Sequence, residues 1–214
     1  MQYRNFGKTG WQVSEIGFGA WAIGADWGQV NDQDSLNALR AAIEQGVNFI
    51  DTADVYGDGR SERLVSQVIK EYPGQVFVAT KPGRKLNPHT ADGYNRQNLN
   101  AFIERSLQNL EVEAIDLLQL HCPPTQVYYM PEVFDGLDDL ARAGKDRHYG
   151  VSVKKVEEAI PSLKWTTIVF TTARGKPSRG LIFPKGTSST NNHHLPQLAD
   201  TNTPQTTDAA GGCL

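Results

Sequence analysis

The stretch that decides the fold is GVNFIDTADVYGDGRSE, residues 46–62. It opens as a short apolar strand over residues 47–50 and turns polar at Asp51. A glycine-rich turn around Tyr56 follows, and a helical pattern of apolar residues comes next. A strand ending in a carboxylate, then a tyrosine on a loop, then a helix is typical of a βα unit with polar chemistry at its carboxyl end. The alternative is that Asp51 caps a turn and Tyr56 packs against the loop.

The same arrangement recurs downstream. Strands are predicted over residues 75–80, 115–120 and 148–151, and each is followed at once by a polar residue: Lys81, His121 and Ser152. Amphipathic helices are predicted from about residue 33, over 95–110 and over 132–143. Because strands that alternate with helices form a parallel sheet, the carboxyl ends share one rim. We therefore expect Asp51 and these three residues to form one site.

The start of the chain predicts a β-hairpin over residues 3–14, with its turn bounded by glycines. A short strand over residues 15–20 follows, and its glycines allow a ligand or another backbone to approach closely. A loop rich in Gly and Trp then leads to the first helix.

Composition excludes several classes of protein. The chain has 214 residues, of which 39% are hydrophobic, and a net charge of −3, which indicates one or at most two globular domains and argues against a nucleic-acid partner. Residues 1–10 contain no apolar segment and no stretch approaches 18 apolar residues, so neither a signal peptide nor a membrane span is expected. Two cysteines, Cys122 and Cys213, suit the reducing cytoplasm.

Five separated motifs carry a resemblance to a known family. They are FGKTGWQVSEIGFGAW at 6–21, GVNFIDTADVYGDGRSE at 46–62, VATKPGR at 78–84, AIDLLQLHCPP at 114–124 and YGVS at 149–152. In this order and spacing they resemble the aldo-keto reductases over about residues 1–160. The resemblance implies an eight-stranded βα barrel of the TIM type, with an N-terminal hairpin closing its bottom. It also implies NADPH-dependent reduction of an aldehyde or ketone.

The resemblance also implies roles for individual residues. The family's catalytic residues fall on Asp51, Tyr56, Lys81 and His121. Its cofactor contacts fall on Gly19, Ala20, Trp21, Asp51 and Ser152. Ser152 would hold the nicotinamide amide, and Val153 stands where the family commonly has Asn.

Elementary chemistry suits these roles. Hydride addition to a carbonyl builds negative charge on its oxygen, so a proton donor is needed there. A free phenol has a pKa of about 10, and a nearby Lys81 cation is expected to lower the pKa of Tyr56. Asp51 is expected to pair with Lys81. His121 would hydrogen-bond the substrate oxygen or share in the proton transfer.

Other candidates have weaker patterns. His89 and His148 are interpreted as satisfied or solvated side chains, and the pair at 193–194 lacks partners at zinc spacing. Cys122 beside His121 suggests a Cys/His pair or a metal site, but adjacent side chains at a strand end point to opposite faces. No metal is therefore predicted.

The character of the sequence changes after residue 160. The net charge is −6 over residues 1–160 and +3 over residues 161–214, where Thr and Asn are abundant and no helical period survives. We expect an incomplete barrel of about five βα units over 1–160, whose sheet stops after the fifth strand. Residues 161–214 are expected to be an irregular tail unlike the family, although short strands are possible at 165–170 and 181–183.

Three interpretations of this chain stay open. It is a reductase whose catalytic half is present, or an incomplete barrel that binds or regulates, or a product whose reading frame shifts near codon 160. In the latter two cases NADPH would bind weakly and turnover would be slow or absent. An open sheet edge would also permit self-association.

Overall fold

The computed structural model describes residues 1–7, 9–24, 30–72, 74–162, 164–165, 168–171 and 181–182. Within these residues the chain forms a two-stranded hairpin and one large sheet with helices between its strands. Short 3-10 segments lie in three of the connections.

The predicted hairpin opens the chain. β1 (Tyr3–Asn5) pairs antiparallel with β2 (Gln12–Ser14). Asn48 fixes the hairpin to the main sheet, because its Oδ1 accepts from the Ser14 amide at 2.7 Å and its Nδ2 donates to the Gln12 carbonyl at 2.8 Å. The hairpin is thus held against the chain just before the second strand of the sheet.

Five βα units follow, as the sequence predicts. Their strands are β3 (Phe18–Gly19), β4 (Phe49–Asp51), β5 (Phe77–Thr80), β6 (Ile115–His121) and β7 (Asp146–Val153). Their helices are α1 (Asp32–Glu44), α2 (Arg60–Ile69), α3 (Arg96–Leu110), α4 (Pro131–Arg142) and α5 (Val156–Ser162). The strands are parallel and neighbour one another in chain order. This is the architecture of a TIM-type barrel.

The sheet continues past the five predicted strands. β8 (Ile168–Thr171) pairs in parallel with β7, and β9 (Leu181–Ile182) pairs antiparallel with β8. The expectation that the sheet stops after its fifth strand is therefore wrong: the run Ile-Val-Phe-Thr has high strand propensity and extends the edge of β7. Among the described residues β3 and β9 are the two ends of the sheet, so the barrel is open there, as predicted. Most of the predicted irregular tail lies outside the described residues.

Two apolar clusters form the core. The larger lies between the sheet and the helices and includes Leu118 and Leu120 of β6, both fully buried. The smaller lies on the opposite face of the strands, beside the hairpin, and consists of Phe6, Trp11, Val13, Phe49, Phe77, Ala79 and Leu117. Trp11 stacks on Phe77 with ring centroids 4.4 Å apart. The hairpin therefore closes the amino end of the barrel by apolar packing.

Element ends differ slightly from the predictions. Asp51 and His121 are the last residues of β4 and β6 rather than the residues after them. The ladder continues that far because a neighbouring strand offers a partner, as His121 pairs with Ser152. Helix α3 begins one residue later than predicted, with the Asn95 side chain accepting from the amide of Asn98 at 3.0 Å.

Candidate active site

An ion pair lies at the carboxyl ends of β4 and β5. Lys81 Nζ is 2.6 Å from Asp51 Oδ1 and donates to the Thr52 carbonyl at 2.8 Å. The lysine side chain is only 6% exposed, whereas the Asp51 side chain is 43% exposed. A nearly buried ammonium is thus held by one carboxylate and one backbone oxygen, which fixes the position of its charge.

Tyr56 covers this ion pair from the turn before α2. Lys81 Nζ lies 5.6 Å from the centroid of the Tyr56 ring. The turn is fixed by close backbone packing: Gly57 has φ of +58°, and a Cβ built there would lie 2.0 Å from the Gly24 carbonyl oxygen. Only glycine fits at this point. The tight turn therefore determines where the tyrosine ring lies.

His121 contacts the same ring from the end of β6. The two ring centroids are 5.9 Å apart at an interplanar angle of 87°, an edge-to-face contact. The His121 amide donates to the Pro82 carbonyl at 2.9 Å, which ties the end of β6 to the residue after Lys81. The structure thus brings together the four residues predicted to be catalytic, Asp51, Tyr56, Lys81 and His121. Their catalytic roles stay predictions.

The expected effect of Lys81 on Tyr56 is wrong. Burial raises the pKa of the Tyr56 phenol well above its ordinary value, and the Asp51 carboxylate and the Cys122 thiol raise it further, while Arg84 opposes them. Lys81 Nζ is paired with Asp51 at 2.6 Å, and desolvation of the phenol outweighs the lowering expected from the lysine charge. Tyr56 consequently keeps its proton throughout the physiological pH range.

The imidazole of His121 is neutral. Burial lowers the pKa of His121 to about 3, and the Lys81 and Arg84 cations lower it in the same direction. The ring is therefore uncharged at neutral pH and offers one N–H and one bare nitrogen. The buried Nδ1 has no hydrogen-bond partner within the described part of the chain.

The predicted cofactor contacts lie on the same rim. Gly19 pairs with Asp51 across β3 and β4, and the Ala20 amide donates to the Asp51 carbonyl at 2.8 Å. Trp21 is 48% exposed. Ser152 of β7 pairs with His121 of β6. It is 1% exposed, and its Oγ lies 3.5 Å from Cys122 Sγ. Binding of a cofactor by these residues stays a prediction.

Sequence reasoning missed a set of buried polar contacts beneath the rim. Ser61 Oγ donates to the Ala20 carbonyl at 2.9 Å and lies 2.8 Å from Thr52 Oγ1. Glu62, fully buried, accepts from Thr80 Oγ1 at 2.6 Å. The helical spacing of α2 could have predicted that Ser61 and Glu62 are buried, because they lie on the same side of the helix as the buried Leu64, Val65 and Val68.

A second contact that was missed joins distant parts of the chain. The carboxylate of Asp54 is fully buried and accepts from Arg105 at 2.9 Å. Burial raises the pKa of Asp54 to about 6, and the Arg105 cation opposes that shift. No local pattern links residues 51 positions apart, so only the fold reveals this pair.

Neither His89 nor His148 belongs to the group of side chains around Tyr56. His89 Nε2 lies 2.7 Å from the Tyr94 hydroxyl, and His148 packs against Trp11 at 4.8 Å between ring centroids. In the described part of the chain, no group of three or more His, Cys, Asp or Glu side chains is placed to hold a metal ion. Nor is any helix found there with the length and apolar character needed to cross a membrane.

The comparisons with known proteins agree with the fold. The sequence model of the Aldo/keto reductase family matches residues 15–176, most of the chain. The chain therefore belongs to the aldo/keto reductase family. The match ends 16 residues beyond residue 160, so the expectation that nothing after that point resembles the family is wrong; the added segment contains β8.

Several curated relatives are similar in sequence. Aldo-keto reductase YhdN of Bacillus subtilis is 39% identical over 162 residues, which is 74% of this chain and 49% of that protein. L-galactose dehydrogenase of Arabidopsis thaliana is 30% identical over 159 residues, 71% of this chain and 48% of that protein. The chain thus spans about half the length of the curated relatives it matches.

Solved structures show the same fold. The aldo-keto reductase AKR11C1 from Bacillus halodurans, in its holo form, has a TM-score of 0.70 and 25% identity, covering 81% of this chain and 58% of its own. An aldo-keto reductase from Klebsiella pneumoniae in complex with NADPH has a TM-score of 0.61 and 29% identity, covering 77% and 54%.

Proposed function

We propose that this chain is an NADPH-dependent oxidoreductase that reduces the carbonyl of an aldehyde or ketone by hydride transfer, with Tyr56 as proton donor. The observation that carries the proposal is the joint placement of Lys81, paired with Asp51, and of His121 around one tyrosine ring. Membership of the aldo/keto reductase family supports it.

The side chains divide the chemistry between them. Tyr56 holds its proton at neutral pH and gives it to the substrate oxygen as negative charge develops there. His121 is neutral and donates a hydrogen bond to the same oxygen. Lys81 is aimed by Asp51 and Thr52, and its cation stabilises the phenolate that remains after proton donation.

The cofactor ring is proposed to lie on the rim beside Asp51. A Cβ built on Gly19 meets nothing within 4 Å, so the surface next to Asp51 is open. Ala20, Trp21 and Ser152 are the further residues that would hold the cofactor. When bound, NADPH supplies the hydride. The structure of a Klebsiella pneumoniae relative in complex with NADPH supports this choice of cofactor.

A second candidate is a barrel that binds the cofactor without turnover and serves in binding or regulation. One observation favours it: β3 and β9 are the two ends of the sheet within the described residues. One relative, 33% identical over 126 residues, is a probable voltage-gated potassium channel subunit beta of Arabidopsis thaliana; the match covers 58% of this chain and 38% of that protein.

One experiment separates the two candidates. NADPH is titrated into the 214-residue protein by fluorescence, and NADPH oxidation is then followed with a panel of aldehydes and ketones. Saturable binding with oxidation that depends on the carbonyl supports the reductase. Binding without oxidation supports the second candidate. Absence of both, in protein shown to be folded by circular dichroism, contradicts the proposed function.

Three further features complete the proposal. The substrate is a small carbonyl compound, the location is the cytoplasm, and self-association occurs through the open sheet edge. Light scattering over a range of protein concentrations tests the last of these: a mass that stays at 23.6 kDa would exclude self-association.

A further inference from the structure

Three buried polar atoms near the end of β6 have no hydrogen-bond partner within the described residues. They are both carboxamide atoms of Gln119 and Nδ1 of His121. Gln119 is 1% exposed and His121 is 6% exposed, so bulk water does not replace the missing partners. Because roughly nine in ten buried polar atoms in proteins are hydrogen-bonded, three such atoms on one strand require an explanation.

The strand places the two side chains on one face. Residues two apart on a strand point the same way, so Leu117, Gln119 and His121 share a side of β6. Leu117 belongs to the apolar cluster beside the hairpin. Gln119 therefore lies one layer above that cluster and one layer below His121.

The separation of the two side chains suits a bridge through one water. Same-face neighbours on a strand are about 7 Å apart along the backbone. The Gln119 carboxamide and Nδ1 of His121 do not bond each other directly, since neither has a partner within the described residues, and one water can hydrogen-bond to both. Across the sheet, Gln119 is paired with Gly150, which has no side chain in this layer.

The partner of Nδ1 determines which nitrogen of the neutral ring carries the proton. A carboxamide nitrogen is a donor and its oxygen is an acceptor, so Gln119 can set either tautomer. Nδ1 is the buried nitrogen of His121, which leaves Nε2 toward the rim that carries Tyr56. A group that stabilises negative charge on a substrate oxygen must present N–H at that rim.

We propose that Gln119 is a positioning residue that donates a hydrogen bond to one bridging water, which in turn donates to Nδ1 of His121 and so keeps the imidazole proton on Nε2. The benefit to carbonyl reduction rests on the proposed function. The choice of this tautomer rests on it too, because it follows from the need for an N–H at the rim, but the measurement does not, because the tautomer is a property of the protein without substrate.

Nitrogen-15 NMR of the 214-residue protein tests the proposal directly. With labelled histidine, the imidazole signals that disappear in His121→Asn belong to His121. The wild-type protein at neutral pH should show the Nε2–H tautomer. A wild-type ring protonated on Nδ1 overturns the proposal, whatever the protein's catalytic activity.

Variants of Gln119 sharpen the test. Gln119→Glu offers only an acceptor when ionised and should shift the tautomer ratio toward Nδ1–H by roughly tenfold or more, as hydrogen bonds to charged groups do. Gln119→Leu removes the donor and should move the Nδ1 signal toward that of an unbonded nitrogen. Gln97→Glu makes the same chemical change on an exposed part of α3 and should leave the His121 signals unchanged.

Each variant of Gln119 gives a result that either supports or contradicts its role as the partner of Nδ1. Unchanged His121 signals in Gln119→Leu would show that Gln119 is not the partner of Nδ1. If Gln119→Glu does not fold, Gln119→Leu and Gln119→Met carry the comparison, since both keep the volume of an apolar core residue. Failure of turnover with the expected tautomer intact would count against the proposed function and not against this inference.

Discussion

The two ends of β4, β5 and β6 differ in chemistry although they belong to the same strands. At the amino ends Phe49, Phe77 and Leu117 pack with the hairpin in one apolar cluster. At the carboxyl ends stand Asp51, Lys81 and His121, which surround Tyr56. Within two to four residues along each strand, the barrel thus passes from apolar packing to ionisable groups.

The two ends of these strands depend on different interactions. Apolar side chains at the amino end are stabilised by burial alone. The polar end needs partners from other elements, and burial shifts the pKa of its side chains, as burial and the Lys81 and Arg84 cations do for His121. Substitutions at the two ends should therefore change different measurements: the free energy of unfolding at one end and the rate of turnover at the other.

The largest effect is expected at the polar end. Lys81→Met removes the cation beside Tyr56, so turnover should fall by about 10²- to 10⁴-fold, the usual contribution of a positioned proton-transfer group. The rate of NADPH oxidation with a carbonyl substrate measures it. Lys85→Met is the matched control, since the Lys85 ammonium pairs with Asp58 and not with Asp51. Equal losses in both variants would contradict the assignment.

The amino end should respond in stability instead. Trp11→Ala removes a ring that stacks on Phe77 and Phe6, and the free energy of unfolding should fall by about 3–5 kcal/mol. Urea denaturation measures the loss. Trp21→Ala removes a 48% exposed ring at the carboxyl end and should cost within about 0.5 kcal/mol. A larger loss for Trp21→Ala than for Trp11→Ala would break the comparison.

Asp146 is an ionisable side chain at the amino end of β7 and so departs from the apolar character of that end of the strands. It allows a prediction of how the free energy of unfolding depends on pH. It is 3% exposed, neither oxygen has a hydrogen-bond partner within the described residues, and burial, reinforced by Asp138, raises its pKa from 3.8 to about 7. Between these two pKa values the Asp146 carboxyl is protonated in the folded state and ionised in the unfolded state. Stability contributed by this group should therefore fall as pH rises from about 4 to 7, by at most about 1.4 kcal/mol per pH unit.

Replacing that carboxyl should remove the slope. Asp146→Asn is expected to flatten the dependence of unfolding free energy on pH over this window and to leave turnover unchanged. Asp135→Asn, an exposed carboxylate on α4, should retain the wild-type slope. If the slope survives in Asp146→Asn, the buried carboxyl is not its source.

The smallest effect concerns the polar contacts under the rim. Ser61→Ala removes a buried hydroxyl that bonds Ala20 and Thr52, and should cost about 1 kcal/mol of stability. Ser66→Ala on the same helix removes a buried hydroxyl that makes no hydrogen bond within the described residues, and should be neutral or stabilising. Thermal unfolding of the two variants compares them. A greater loss for Ser66→Ala would contradict this interpretation of the contacts.

The sequence predicts the architecture and the four residues around Tyr56 because both depend on local signals. Alternating strands and helices predict the parallel sheet, and strand ends predict the rim that holds Asp51, Lys81 and His121. β8 and β9 overlap the segments where the sequence allowed short strands, but their addition to the sheet was not predicted because these segments lack a helical period between them. The Asp54–Arg105 pair escaped because it joins residues distant in sequence.

The ionisation of Tyr56 was predicted in the wrong direction for a different reason. Sequence spacing indicates that a lysine is near the phenol and that Asp51 pairs with this lysine, but it does not give the burial of the phenol. That burial depends on how tightly the turn at Gly57 packs against Gly24. Desolvation is a property of the packed fold, which local patterns do not report.

The central claim is that the polar end acts through the proton of Tyr56. The most direct measurement compares carbonyl-dependent NADPH oxidation by Tyr56→Phe with that by Tyr129→Phe, which alters a 66% exposed ring in the 3-10 segment after β6. Both variants should unfold at the wild-type urea concentration. We predict that Tyr56→Phe loses about 10²- to 10⁴-fold in turnover while Tyr129→Phe keeps the wild-type rate. Near wild-type turnover in Tyr56→Phe would show that another group donates the proton.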